Sequence, residues 1–235
     1  MNAMILAAGH GTRLGELSRT VPKVLVDVGG EPLLARQVRY LKDNGVARIV
    51  INAHHLADQV ESFVAEHPLA ADIEVVVEPN LLGTAGGVRN ALPQLGDQAF
   101  VVLYGDVIVD EPIAAVADTH RRANGCATLT LYRTGEVEGK GTVEILSDGT
   151  VSVFHEKGNT HVNGFAYVNA GLYVVEPSLM CHLPSSVALD FGHDVFPAAL
   201  AQGQTIAAHV LAGPVLDMGT PPMLQAARRK LGEKL

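Results

Sequence analysis

Hydrophobic positions fall into two alternating textures along the first half of the chain. Residues 3–8 form a short apolar run of strand length, residues 33–44 place Leu34, Val38 and Leu41 on one helical face, and residues 48–52 return to a short run. The rhythm continues with a helix predicted over 56–66, a strand over 73–78, a helix over 85–92, a strand over 100–103 and a helix over 112–123. Strands alternating with helices predict an α/β, doubly wound, Rossmann-like sheet.

After Gly125 the texture changes. Residues 127–132, 142–146, 151–155 and 164–174 are rich in strand formers and are separated by Gly, Asp and Asn turns, as in mixed or antiparallel sheet. A helix over 195–201, a strand over 207–211 and a last helix over 221–231, with Thr220 as its cap, complete the pattern. No internal repeat interrupts it. The expectation is one domain over 1–235 on a continuous mixed sheet, in two halves, 1–125 and 126–235.

Composition narrows the possibilities. The 235 residues are 48% hydrophobic and 18% charged, enough to bury a full core. Every apolar run is interrupted well before the roughly 18 residues of a membrane span, and the N-terminus lacks a basic leader, so a cytoplasmic protein without a membrane partner is expected. A net charge of −8 without a Lys/Arg cluster argues against nucleic acid as a partner. Any bound phosphate must therefore be met locally. Cys126 and Cys181 have no metal-ligand spacing, and neither do His10, His54, His55 or His193. Asp190 and Asp194 read as helix-capping residues.

The local candidate is the loop after the first strand, Ala8-Gly9-His10-Gly11-Thr12-Arg13-Leu14. Glycines there let backbone N–H groups approach phosphate oxygens. Leu14 stands where the dinucleotide fingerprint requires its third glycine, which disfavours a redox enzyme using NAD, and the Walker spacing is absent. Arg13 and, ten residues later, Lys23 of Pro22-Lys23 supply cations suited to a triphosphate. Asp106 and Asp217 each follow an apolar strand run, and two such carboxylates can hold Mg2+, although an Asp there is also a common cap or turn residue.

These segments together resemble the sugar-phosphate nucleotidyltransferase family. The resemblance runs from Leu6-Ala7-Ala8-Gly9-His10-Gly11-Thr12-Arg13-Leu14 and Pro22-Lys23 through Glu78-Pro79-Asn80-Leu81-Leu82-Gly83-Thr84-Ala85-Gly86. It continues through Gly105-Asp106, Phe154-His155-Glu156-Lys157, Asn169-Ala170-Gly171 and Leu216-Asp217-Met218-Gly219. It implies the nucleotide-diphospho-sugar transferase fold, of GT-A-like type, with 1–125 as the nucleotide-binding half and 126–235 as the sugar-phosphate-binding half. It also implies catalytic roles for Arg13, Lys23 and Asp106, and a nucleotide site of Leu6, Ala8, Gly9, Gly11, Thr12, Arg13, Glu78, Gly83, Thr84 and Gly105. Gly141, Glu156, Lys157 and Asn169 would bind the sugar phosphate, and Asp106 with Asp217 would hold Mg2+.

The implied substrates are an NTP and a sugar 1-phosphate, and a homodimer is compatible with the amphipathic last helix. The Leu-Gly-Thr-Ala form of the base segment is similar to guanylyltransferases acting on mannose and heptose phosphates. No Gln lies between Glu78 and Arg89, where thymidylyl members carry one. The family also contains a uridylyltransferase acting on N-acetylmuramate 1-phosphate with a related segment, and inactive relatives that would act as nucleotide-sugar sensors. Intact Arg13, Lys23, Asp106, Lys157 and Asp217 speak against a sensor.

Overall fold

The computed structural model describes residues 1–137, 140–155, 164–185 and 187–232. In chain order, β1 (Ala3–Leu6) is followed by α1 (Leu17–Thr20), α2 (Leu33–Asp43), β2 (Ile49–Ala53), α3 (Ala57–Glu66) and β3 (Ile73–Val77). Next come α4 (Gly83–Asn90), α5 (Leu92–Leu95), β4 (Phe100–Tyr104), β5 (Val107–Ile108) and α6 (Ile113–Ala123). The second half holds β6 (Ala127–Thr134), β7 (Thr142–Ile145), β8 (Val151–His155), β9 (Ala166–Val175) and α7 (Pro177–Cys181). A π-helical turn (Phe191–Val195) then leads into α8 (Phe196–Ala201), β10 (Ile206–Val210), β11 (Leu216–Asp217) and α9 (Pro221–Gly232).

Among the described residues one nine-stranded sheet runs in the order β10-β6-β9-β4-β1-β2-β3, with β7 and β8 branching from β9. Pairing is parallel among β4, β1, β2 and β3, and antiparallel where β9 lies between β4 and β6. This is the mixed α/β sheet that the alternation predicts. The β4–β9 pair joins the two halves, with Phe100 opposite Val175 and Leu103 opposite Leu172.

The period of two along each strand sorts side chains into two apolar layers. Ala3 and Ile5 of β1, with Ile49, Ile51, Val101 and Leu103, pack against Leu34, Val38 and Leu41 of α2, Val60 and Val64 of α3, and Val116 of α6. Met4, Val50, Phe100 and Val102 face the other way, toward Ala85 and Val88 of α4, Met180 of α7 and Phe196 of α8. All five residues of β2 are buried, as a strand covered on both faces requires.

Differences from the sequence expectations have local causes. The first strand ends at Leu6 rather than residue 8, because the amide of Ala7 donates to the Asn52 side chain instead of a neighbouring strand. The helix expected from 85 begins at Gly83, and that expected from 195 is preceded by the π-helical turn, whose start Asp190 caps by accepting from the Gly192 and His193 amides. The short α1, α5, α7, β5 and β11 carry too few residues for periodicity to reveal them. No described helix is long and apolar enough to cross a membrane.

Candidate active site

Parallel strands deliver their C-terminal ends to one edge of the sheet, and in open α/β sheets that edge forms the ligand crevice. Here the loops after β1, β3 and β4, with Asn52 of β2, line a cavity of about 460 Å3. Leu6, Ala8, Gly9, Gly11, Thr12, Arg13, Gly83, Thr84 and Gly105 all line it, together with Lys23 and Asp106. Glu78 does not line it. Its buried carboxylate accepts from Asn52 Nδ2 at 2.7 Å and from the Leu82 amide at 3.0 Å.

The phosphate-loop candidate is shaped by two close approaches. Gly11 takes a left-handed conformation (φ 63°) as the chain enters the 3-10 turn over Thr12–Leu14 that carries Arg13. Gly105, at the end of β4, leaves no room for a side chain, since a β-carbon there would lie 2.3 Å from the Leu6 carbonyl oxygen. This contact presses the Asp106 turn against the end of β1.

Asp106 and Asp217 are brought together by a two-stranded ribbon outside the main sheet, in which Asp217 of β11 pairs antiparallel with Val107 of β5. The Met218 amide donates to the Asp106 carbonyl at 2.9 Å, fixing the register. Lys23 Nζ lies 2.5 Å from Asp106 Oδ2. Asp217 Oδ1 accepts from the Gly219 amide at 2.6 Å, and a β-carbon at Gly219 would stand 3.2 Å from Arg13 Nη2. Burial pushes the Asp217 carboxyl above its ordinary range and the neighbouring Asp106 adds to the shift, which the Gly219 amide, Lys23 and Arg13 partly offset. Asp106 lines the cavity and Asp217 does not, but the two lie close enough for the charge of one to shift the other, and such carboxylates are the oxygen donors a hard divalent cation takes. Among the described residues no group of three or more His, Cys, Asp or Glu forms a cage of its own.

The segment 83–86, expected to lie against the base, is held from the far half of the chain. Gly83 (φ 73°) has no space for a β-carbon, which would meet the Leu189 carbonyl oxygen at 2.5 Å. That carbonyl accepts from the Ala85 and Gly86 amides, occupying donors in the first turn of α4. Thr84 Oγ1 donates to Asp190 Oδ2 at 2.6 Å and accepts from the Phe191 amide. Gly87 of the same helix faces the Asn52 and Glu78 side chains: a β-carbon would lie within 2.7 Å of both.

The expected sugar-phosphate residues are only partly brought in. The Gly141 carbonyl accepts from the Asn169 amide at 3.0 Å, and Asn169 Nδ2 donates to Tyr173 Oη at 2.5 Å. Tyr173 meets cavity-lining Tyr104 edge-on, yet Gly141 and Asn169 are not among the cavity's lining residues. Glu156 and Lys157 lie outside the described residues. Sequence reasoning misses Asn52, Tyr104 and Asp190, all of which line the cavity. Asn52 alone carries a readable signal, a polar residue inside the apolar run Ile49–Ala53.

Fold and site define a mixed α/β sheet with a glycine-lined cavity at the carboxyl edge of its parallel strands. The chain belongs to the nucleotidyl transferase family, whose model matches residues 2–234. A mannose-1-phosphate guanylyltransferase from Mycobacterium tuberculosis is 31% identical over 94% of this chain and 62% of its own length. A UTP–glucose-1-phosphate uridylyltransferase from Synechocystis is 29% identical over 100% of this chain and 64% of its own. The chain thus spans less than two thirds of the length of these curated relatives. The crystal structure of HddC from Yersinia pseudotuberculosis, complexed with GMP-PN, superposes with a TM-score of 0.83 at 27% identity, covering 97% of this chain and 98% of that one.

Proposed function

We propose that this chain is a sugar-1-phosphate nucleotidyltransferase, transferring a nucleoside monophosphate from an NTP to a sugar 1-phosphate with release of pyrophosphate. The observation that carries this reading is one cavity lined by the glycine loop, Arg13, Lys23, Asp106, Gly83 and Thr84, with Asp217 brought beside Asp106 by the β5–β11 ribbon. A phosphate oxygen of the sugar substrate, already ionised at neutral pH, attacks the α-phosphorus. The new P–O bond forms as the α–β bond breaks, and the bonding pair leaves with pyrophosphate. No protein nucleophile is required.

Catalysis then rests on positioning and charge neutralisation. Loop amides over residues 8–14 and the Arg13 guanidinium hold the triphosphate, while Lys23, fixed by Asp106, meets charge developing at the α-phosphate. Asp106 and Asp217 would hold Mg2+, which when bound supplies a Lewis acid for phosphate oxygens. Lys157 and Glu156, with Gly141 and Asn169, are assigned to the sugar phosphate by family resemblance.

GTP is the favoured nucleotide and a mannose-type or manno-heptose ring the favoured sugar. This is supported by the guanylyltransferase relative, by GMP-PN in the HddC crystal and by the absence of Gln between Glu78 and Arg89. UTP with a hexose 1-phosphate is the second reading, favoured by the Synechocystis relative.

Pyrophosphate release with Mg2+, measured for GTP, UTP, dTTP, CTP and ATP against mannose, manno-heptose, glucose and N-acetylmuramate 1-phosphates, tests both readings. Signal with GTP and a manno-configured sugar is expected, and UTP with glucose 1-phosphate would transfer the assignment. Silence across the grid, with nucleotide still bound, would mark a sensor. In the productive pair, Arg13→Ala is expected to lower turnover by about 100- to 1,000-fold. Near-normal turnover would remove Arg13 from the mechanism.

A further inference from the structure

The face that α2 turns to the sheet is apolar except at one position. Its buried residues are Leu33, Leu34, Val38 and Leu41 and, among them, Gln37, which is 2% exposed. The Gln37 side chain reaches past the apolar layer to the end of β4. There Nε2 donates to the Tyr104 carbonyl at 2.9 Å and to the Val107 carbonyl at 2.9 Å. A carbonyl only accepts, so the two partners fix which way the amide faces. Oε1 is then buried without a hydrogen-bond partner among the described residues. A buried acceptor left unpaired opposes folding, and an apolar side chain would avoid that cost. What the amide contributes at this position is therefore the pair of bonds it donates.

Those two carbonyls bracket Gly105-Asp106. Tyr104 closes β4, and Val107 opens β5, where it pairs with Asp217 of β11. The backbone between them is held at two more points: the Gly105 amide donates to the Leu6 carbonyl at 2.9 Å, and the Asp106 carbonyl accepts from the Met218 amide. Every one of these contacts is backbone to backbone except the Gln37 clamp. One side chain on α2 thus ties the strand end that delivers Asp106, the partner of Lys23, to the ribbon that delivers Asp217. Gln37 does not line the cavity, so whatever it does for the site it does through this turn.

We propose that Gln37 is a positioning residue for the divalent-cation site: by holding the carbonyls on either side of Gly105-Asp106 it sets the Asp106 carboxylate relative to Asp217, and with it the affinity of the pair for Mg2+. The proposal rests on the nucleotidyltransferase reading and adds to it a residue that touches neither nucleotide nor sugar. Groups that orient the ligands of a metal from behind carry roughly 10- to 100-fold in metal affinity.

The test compares the whole chain with Gln37→Met, which keeps the length of the side chain and removes both donated bonds. Mn2+ is titrated with GTP and with UTP, without sugar phosphate, and followed by water-proton relaxation, which separates protein-bound Mn2+ from Mn2+ held by nucleotide alone. Gln37→Met is expected to bind Mn2+ about 10-fold more weakly or worse. In pyrophosphate release its half-saturating Mg2+ is expected to rise by the same factor, with a smaller fall in kcat at saturating Mg2+ and an unchanged KM for the sugar 1-phosphate. Val38→Ala, a cavity-forming change on the same face of α2, is expected to lower the melting temperature and leave the cation dependence as in wild type. If Gln37→Met does not fold, Gln37→Glu is read in the same way, since its carboxylate keeps the shape and cannot donate to either carbonyl. Wild-type Mn2+ affinity and Mg2+ dependence in the folded variant, or an equal shift in Val38→Ala, overturn the proposal and leave the nucleotidyltransferase reading standing. A wild type that neither binds Mn2+ nor releases pyrophosphate with any substrate pair overturns both.

Discussion

Asp217 is held in surroundings that oppose its own charge. Burial and Asp106 raise its carboxyl above the ordinary range, so between the unfolded and folded values the native chain binds more protons than the unfolded one. Stability from this group is therefore present at low pH and is lost as pH rises through that window. At neutral pH the buried Asp217 carboxylate therefore costs stability. Asp217→Asn is accordingly expected to melt higher than wild type at neutral pH in chelator, with the difference closing below the ordinary carboxylate range, and to lose Mg2+-dependent turnover. Thermal melts across pH check the first part. A lower melting temperature for the variant would mean that the hydrogen bond from the Gly219 amide outweighs the repulsion.

Between elements, the decisive contacts are polar and buried. Asn52 accepts from the Ala7 amide at 2.8 Å and donates to Glu78, whose other oxygen accepts from Leu82. One side chain on β2 thus ties the turn after β1 to the base segment after β3. Asn52→Ala would leave the buried Ala7 amide and one oxygen of the buried Glu78 carboxylate without a partner, at a cost of about 2–4 kcal/mol by the desolvation of such groups. The expected result is a lower denaturation midpoint and a raised KM for the nucleotide with a smaller change in kcat, because both arms of the nucleotide slot loosen. A change confined to kcat would show that Asn52 acts on the chemistry itself. The Thr84–Asp190 contact is the counterpart from the far half, and it holds the start of α4 rather than leaving its first-turn donors to a ligand.

At the scale of the molecule, the sheet is one body with two apolar layers, and the layer under the second half is the more aromatic. Phe191 and Phe196 stack at 5.2 Å between centroids, and Tyr173 meets both edge-on. Because Tyr173 also receives the Asn169 amide hydrogen and abuts Tyr104, this core lies directly beneath the cavity wall. Phe196→Ala, at a fully buried position, is expected to destabilise the fold by about 3–5 kcal/mol. Urea denaturation should show a lower midpoint with an unchanged slope. A changed slope would mean that the two halves unfold separately despite the shared β4–β9 pair.

Local pattern by itself determined the alternation of strands and helices through the first half, the sheet-rich second half and the glycine loop with its two cations. Each rests on side-chain periodicity or on the conformational freedom of glycine, properties a short window of residues carries in full. Tertiary structure decided what converges. The pairing of Asp106 with Asp217 depends on a ribbon of two short strands, and the base segment is held by Leu189 and Asp190 from the other half. Contacts of this kind are selected by the packing of the whole sheet and leave no period in the chain. Asn52 stands between the two cases: its polarity within a buried strand is visible in sequence, but its partners, Ala7 and Glu78, become adjacent only when β1, β2 and β3 align.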